Sequence, residues 1–153
     1  MTEQAFLSES ANPQAELTAL IAEFTSRVDR GESVAELLQA DAVIRTPRGE
    51  TQGRDTIAAL FASVFESRRQ SGHVARHTSL NVHVREVTTG RFEVHSLLLA
   101  FSLAAPNKAD GSLLIGDQID IVARDADGEY RFAARTLRPA LEFTLVPKAS
   151  PAQ

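Results

Sequence analysis

The chain has 153 residues, of which 43% are hydrophobic, with a formal net charge of -4 and no cysteine. That length suits one domain with a real core. The absent cysteines exclude thiol catalysis, disulfides and cysteine-held metals, and a mildly acidic chain without a basic cluster argues against a nucleic-acid partner.

Residues 1–12 are polar and read as a loose tail. Their composition, MTEQAFLSESAN, lacks the basic start and long apolar stretch of a secretory signal. No run reaches the roughly 20 apolar residues of a membrane span, so no membrane partner is expected and the expected location is cytoplasmic. Pro13 suits a first helical turn, and Leu17, Leu20, Ile21, Phe24 and Val28 then recur at helical spacing. Gly31 fits a C-terminal cap. A short second helix is expected next, with Val34, Leu37 and Leu38 inward. Asp41 to Thr46 reads as a strand stopped by Pro47, and Gly49 to Gly53 as a loop. Asp55 can cap a third helix running to about Arg69, with Ile57, Leu60, Phe61, Val64 and Phe65 as its apolar stripe.

After Gly72 the pattern turns to strands: His77 to Val87, Phe92 to Leu103, Ser112 to Arg124, and Tyr130 to Arg138. Thr89-Gly90 and Asp127-Gly128 supply hairpin turns, and Pro106 to Gly111 a longer loop. Pro139 is expected to end the last strand, leaving residues 144–153 as a second loose tail. Helices first and an antiparallel meander second imply an α+β domain over residues 13–143, with helices on one face of a curved sheet. The strand SLLLAFSL (Ser96 to Leu103) is apolar on both faces. A homodimer joined through the outer sheet face would cover the second one.

The stretch ARHTSLNVHVRE (Ala75 to Glu86) is unusual for a core strand, because alternate positions read His77, Ser79, Asn81, His83 and Arg85. His83 and Arg85 suit the outer face. His77 shares their parity, so only a β-bulge between Ser79 and Asn81 would turn it inward. In the last hairpin, a two-residue Asp127-Gly128 turn sets Asp120 opposite Arg135 and Gln118 opposite Leu137. An Asp–Arg pair there reads as a structural clamp or as an inward-facing charge. A two-residue Thr89-Gly90 turn sets His95 opposite Val84 and His83 opposite Ser96. Neither arrangement has metal-ligand spacing, so no metal site is expected. With no phosphate loop or nucleophile elbow either, no cofactor is expected and any chemistry would be proton transfer.

The order VDRGE (Val28 to Glu32), DAVIRTP (Asp41 to Pro47), GRDTIAALF (Gly53 to Phe61), ARHTSLNVHV (Ala75 to Val84) and DGEYRFAAR (Asp127 to Arg135) resembles the SnoaL-like branch of the nuclear-transport-factor-2-like superfamily. The resemblance spans roughly Ala15 to Leu141 and rests on order and spacing rather than on one motif. It implies a cone of bent sheet closed by three helices around an apolar pocket. Its dehydratase and dehydrochlorinase members use an aspartate at the end of the first helix and a histidine at the start of the long strand. The matching positions here are Asp29 and His77, and Arg135 matches a residue that helps hold a leaving group. Phe24 stands where a tyrosine or lysine is often found, and Gln118 where a tyrosine often is. The implied function is a cofactor-free lyase or isomerase acting on a small apolar, cyclic or aromatic molecule. Phe24, Phe61, Val64, Phe65 and Leu99 would form pocket walls and Gln118 would reach the ligand. The alternative is a non-catalytic ligand-binding or accessory module, in which Asp29 is a surface residue and His77 a structural one.

Overall fold

Helix α1 (Pro13–Arg30) begins where the Asn12 side chain accepts from the Ala15 N–H, with Pro13 in the first turn, where a helix needs no N–H donor. It ends at Gly31, which takes the left-handed conformation at φ 71°. Leu17, Ile21, Phe24 and Val28 are buried along one stripe, as the spacing predicts. The structure is a computed structural model describing residues 12–105 and 110–146. Most of the loose tails expected at residues 1–12 and 144–153, and most of the loop expected from Pro106, lie outside the described residues.

A 3₁₀ turn, Ala35–Leu37, replaces the expected second helix, with Val34 and Leu38 fully buried on either side. Two α-helices are therefore present among the described residues, not three. Strand β1 (Leu38–Thr46) follows, and then β2 (Gly49–Gln52), which was expected to be loop. GETQ has no apolar side to give it away. It becomes a strand by pairing antiparallel with β1, where Arg45 faces Glu50 across a 2.7 Å ion pair. Helix α2 (Arg54–Ser71) is capped by Gly53, not by Asp55. Gly53 sits at φ 91° and its N–H donates to the Ala42 carbonyl, so the turn is docked on β1 before the helix begins. Asp55 lies in the first turn, where a carboxylate suits the helix dipole.

Four long strands complete the chain: β3 (Val74–Thr88), β4 (Arg91–Leu103), β5 (Gly111–Arg124) and β6 (Tyr130–Leu145). They form one curled, open sheet in the order β2-β1-β6-β5-β4-β3, antiparallel except where β1 runs parallel to β6. Strand β6 does not stop at Pro139. Its pairing with β1 ends at Thr136, so beyond that point one side of β6 needs no donor and proline is tolerated. Thr144 and Leu145 thus belong to the sheet rather than to a tail. Helix α1 lies over β3 and β6, and α2 over β1 and β2. The core between them joins Ile57 and Phe65 of α2 to Phe92, Val94, Val122 and Phe132 of the sheet.

Bulges decide which side chains face that core. In β3 the pairing with β4 shifts between Leu80 and His83, and Asn81 adopts φ 52°. Ala75, His77 and Ser79 face inward before the shift, and Val82 and Val84 after it. The expected bulge is present a residue or two further along, and it reverses the strand's parity. A left-handed conformation costs a side chain about 1–2 kcal/mol, least for asparagine and nothing for glycine. Asn81→Gly should therefore hold or raise the midpoint of urea unfolding. Asn81→Val should lower stability by about 1–2 kcal/mol; equal midpoints for the two variants would contradict the strain.

Candidate active site

Asp29 sits in the last turn of α1 and His77 near the start of β3. Asp29 Oδ1 lies 2.6 Å from His77 Nδ1, and Asp29 Oδ2 accepts from the His77 backbone N–H at 3.0 Å. Both oxygens of the carboxylate are thus spent on one residue. A carboxylate only accepts, so the contact places the proton on Nδ1 and leaves Nε2 unprotonated in the neutral ring. Both side chains are mostly buried, at 18% exposure for His77 and 15% for Asp29. An anion at a helix C-terminus opposes the helix dipole. Arg68 of α2 offsets this, donating from Nη1 to the Val28 carbonyl at 3.3 Å beside Asp29. Burial lowers the Arg68 guanidinium from its ordinary value, and the Asp29 charge opposes that shift.

His77 lines a cavity of about 140 Å³ between α1, α2 and the inner sheet face. Its apolar walls include Phe24, Val28, Ile44, Phe61, Leu98 and Leu137; Gln118 and Arg135 are polar members. Of the five expected wall residues, two line the cavity and three do not. Phe24 and Phe61 line the cavity, their rings edge to face at 5.7 Å. Phe65 is buried behind them, its ring 5.8 Å from Phe61, and does not reach the cavity. Val64 lies on the outer side of α2, 37% exposed. Leu99 faces away from the cavity, and Leu98 takes its place. Phe92 and Val94 are buried while Glu93 and His95 are not, so even-numbered residues of β4 face inward. That alternation was readable in the sequence and identifies Leu98.

Asp120 and Arg135 do stand opposite each other, and Gln118 opposite Leu137. The turn assumed for this was nevertheless wrong. Arg124 pairs with Tyr130 across five loop residues, and a register shift between Ile121 and Val122 restores the expected pairing. The shift leaves Ala133 without a partner and turns Arg135 to the same face as Phe132. Asp120 is fully buried and accepts from Arg135 Nε at 2.9 Å and Nη2 at 3.0 Å. It also accepts from Gln118 Nε2 at 2.8 Å. The guanidinium packs against two rings that meet edge to face, 3.9 Å from the Phe24 centroid and 4.3 Å from that of Phe132. Phe24 thus cannot donate a hydrogen bond, but it covers the one buried cation of the cavity.

A model of the SnoaL-like domain family matches residues 9–136. The chain belongs to this family. No curated protein matches it in sequence. Several solved structures share the SnoaL-like fold at low identity. A hexachlorocyclohexane dehydrochlorinase, LinA-type3 from Novosphingobium barchaimii LL02, is 18% identical with a TM-score of 0.73, over 90% of this chain and 94% of that one. A protein provisionally assigned as a scytalone dehydratase, from Novosphingobium aromaticivorans DSM 12444, is 19% identical with a TM-score of 0.71, over 89% of each chain. ActVI-ORFA from Streptomyces coelicolor is 17% identical with a TM-score of 0.70, over 84% of this chain and 98% of that one.

The remaining histidines of this SnoaL-like chain lie elsewhere. A register shift between Glu86 and Thr88 makes His83 face His95, not Ser96, and His95 does not face Val84. His83 and Arg85 are exposed on the outer face; Arg85 and His95 both reach Glu93, whose carboxyl is held below its ordinary value chiefly by the Arg85 hydrogen bond. Among the described residues no group of acids and histidines could hold a metal, and no helix is long and apolar enough to cross a membrane.

Proposed function

We propose that this SnoaL-like chain is a cofactor-independent lyase or isomerase that moves a proton on a small, largely apolar cyclic molecule. The observation that carries this reading is the 2.6 Å contact between Asp29 and His77 at the wall of the cavity. His77 Nε2 takes a proton from carbon and returns it to a leaving hydroxyl, which departs as water; a leaving halide departs as the anion and the proton stays on His77 until solvent takes it. Asp29 holds the ring in one tautomer and stabilises the imidazolium formed in the transition state. Arg135 supplies hydrogen-bond donors across the cavity. The dehydrochlorinase and dehydratase names among the structural neighbours are consistent with elimination chemistry but do not establish it here.

The alternative, a ligand-binding module without turnover, is favoured by one feature: Phe24 and Gln118 provide no acidic hydroxyl for catalysis. A panel of cyclic β-hydroxyketones in heavy water separates the two. Elimination or deuterium uptake next to the carbonyl, above the buffer rate, supports the enzyme. Saturable binding of panel members without either reaction supports the module.

For the outer sheet face we propose a second copy of this chain. Phe101, Leu113 and Phe143 form one apolar row across three strands, and Leu99, Ile115 and Leu141 form the next. Phe101, Leu141 and Phe143 are among the exposed apolar residues. Light scattering at micromolar concentration should give twice the chain mass, and Phe101→Glu should return it to the monomer mass. A monomer in the unsubstituted protein would rule this pairing out.

A further inference from the structure

The polar wall of the cavity has a fixed polarity, set by Asp120. This carboxylate can only accept, so the Gln118 amide must turn its NH₂ toward it, as the 2.8 Å contact shows. The amide oxygen Oε1 is then the end left over, and it accepts no hydrogen bond among the described residues, although Gln118 lines the cavity. Arg135 spends Nε and Nη2 on Asp120, and among the described residues its Nη1 has no acceptor. Ser96 stands directly across the β4–β5 ladder from Gln118, is 5% exposed, and its hydroxyl has no partner among the described residues. Ser96 does not line the cavity, so the polar wall offers the Gln118 acceptor and the Arg135 Nη1 donor. Both arginines that line the cavity are already paired, Arg135 with Asp120 and Arg45 with Glu50.

We infer that Gln118, oriented by Asp120, is the specificity-determining residue of this cavity and selects a neutral ligand bearing a hydroxyl group. This rests on the cavity being the binding site proposed above, but not on His77 being catalytic. The hydroxyl donates to Gln118 Oε1 and accepts from Arg135 Nη1. An anion is not selected, because the Asp120–Arg135 pair carries no net charge and Oε1 repels a carboxylate. The volume of about 140 Å³ matches the roughly 150 Å³ engineered cavity in another protein that holds benzene, so one six-membered ring fits.

Four one-ring probes test this by calorimetry at neutral pH: phenol, anisole, benzene and benzoate. Phenol should bind about tenfold more tightly than anisole, which has the same oxygen but nothing to donate, and than benzene. Benzoate should be weaker than phenol. Gln118→Met, close in size and without the amide oxygen, should reduce phenol to the affinity of anisole while leaving benzene unchanged. The four-probe comparison in the unsubstituted protein decides the matter even if Gln118→Met fails to fold. Equal affinities for phenol and anisole, or benzoate as the tightest ligand, would overturn the assignment. His77→Gln should keep phenol's advantage over anisole whether or not the chain is an enzyme. Loss of turnover with retained selectivity therefore separates this inference from the proposed chemistry.

Discussion

His77→Gln should cut turnover of any substrate found in the elimination panel by about 10²–10⁴-fold, the range removed when a positioned acid or base is lost. Glutamine retains a side-chain donor for Asp29 and leaves the His77 backbone N–H in place, so the 3.0 Å bond to Oδ2 survives. Stability should then change by less than about 1 kcal/mol, as for other substitutions that create no cavity and bury no unpaired charge. Asp29→Asn should approach the same loss by a different route. The amide can leave a hydrogen bond to Nδ1 but not the charge that stabilises an imidazolium, and it can present NH₂ to Nδ1, which would select the wrong tautomer. The paired readout matters more than either variant alone. If both lose turnover and both unfold at the original urea midpoint, the dyad acts in chemistry. Turnover within threefold of the original in His77→Gln would remove this residue from the mechanism, and Asp29 with it.

The helical half of the molecule was largely open to reading, because a buried stripe at a period of 3.6 residues and a terminal glycine are local signals. Leu17, Ile21, Phe24 and Val28 behave as their spacing predicts, and so does Gly31. The sheet was harder, because facing is a cumulative property. One extra residue reverses every side chain beyond it. The Thr89-Gly90 turn was placed correctly, since Thr88 pairs with Arg91, yet the shift between Glu86 and Thr88 undid the pairing inferred for His83 and His95. The Asp127-Gly128 turn was misjudged, yet a compensating bulge at Ala133 made the Asp120–Arg135 pairing right. Both outcomes have the same cause. Bulges leave almost no trace in composition, except where an asparagine such as Asn81 can tolerate a positive φ. Strand β2 escaped notice for another reason: GETQ owes its conformation to the free edge of β1, not to its own side chains. At the site, the family resemblance pointed to Asp29 and His77, and parity alone would have placed His77 outside. Asp120 drew attention only as a partner for Arg135, because a lone aspartate in a strand carries no sign that it will be fully buried.

Asp120→Leu should be the most destabilising single substitution at the site. The carboxylate has no exposed surface and satisfies two N–H groups of Arg135 and one of Gln118. Removing it leaves a guanidinium that is 7% exposed, packed against the rings of Phe24 and Phe132, with no anion to meet it. Breaking a buried pair in this way costs about 3–5 kcal/mol, which for a chain of this size lowers the thermal midpoint by roughly 10 °C. The double variant Asp120→Leu/Arg135→Met should recover most of that loss, because it removes both charges and keeps the volume filled. It should not recover ligand selectivity: the Gln118 amide, no longer anchored, is free to present either end to the cavity. Stability restored without selectivity is the signature of a pair that orients a recognition group rather than holding the fold together. If the single variant loses under 1 kcal/mol in urea unfolding, the pair is more hydrated than its burial implies. If the double variant is no more stable than the single, the cost arises from packing around β5 and β6 and not from a stranded charge.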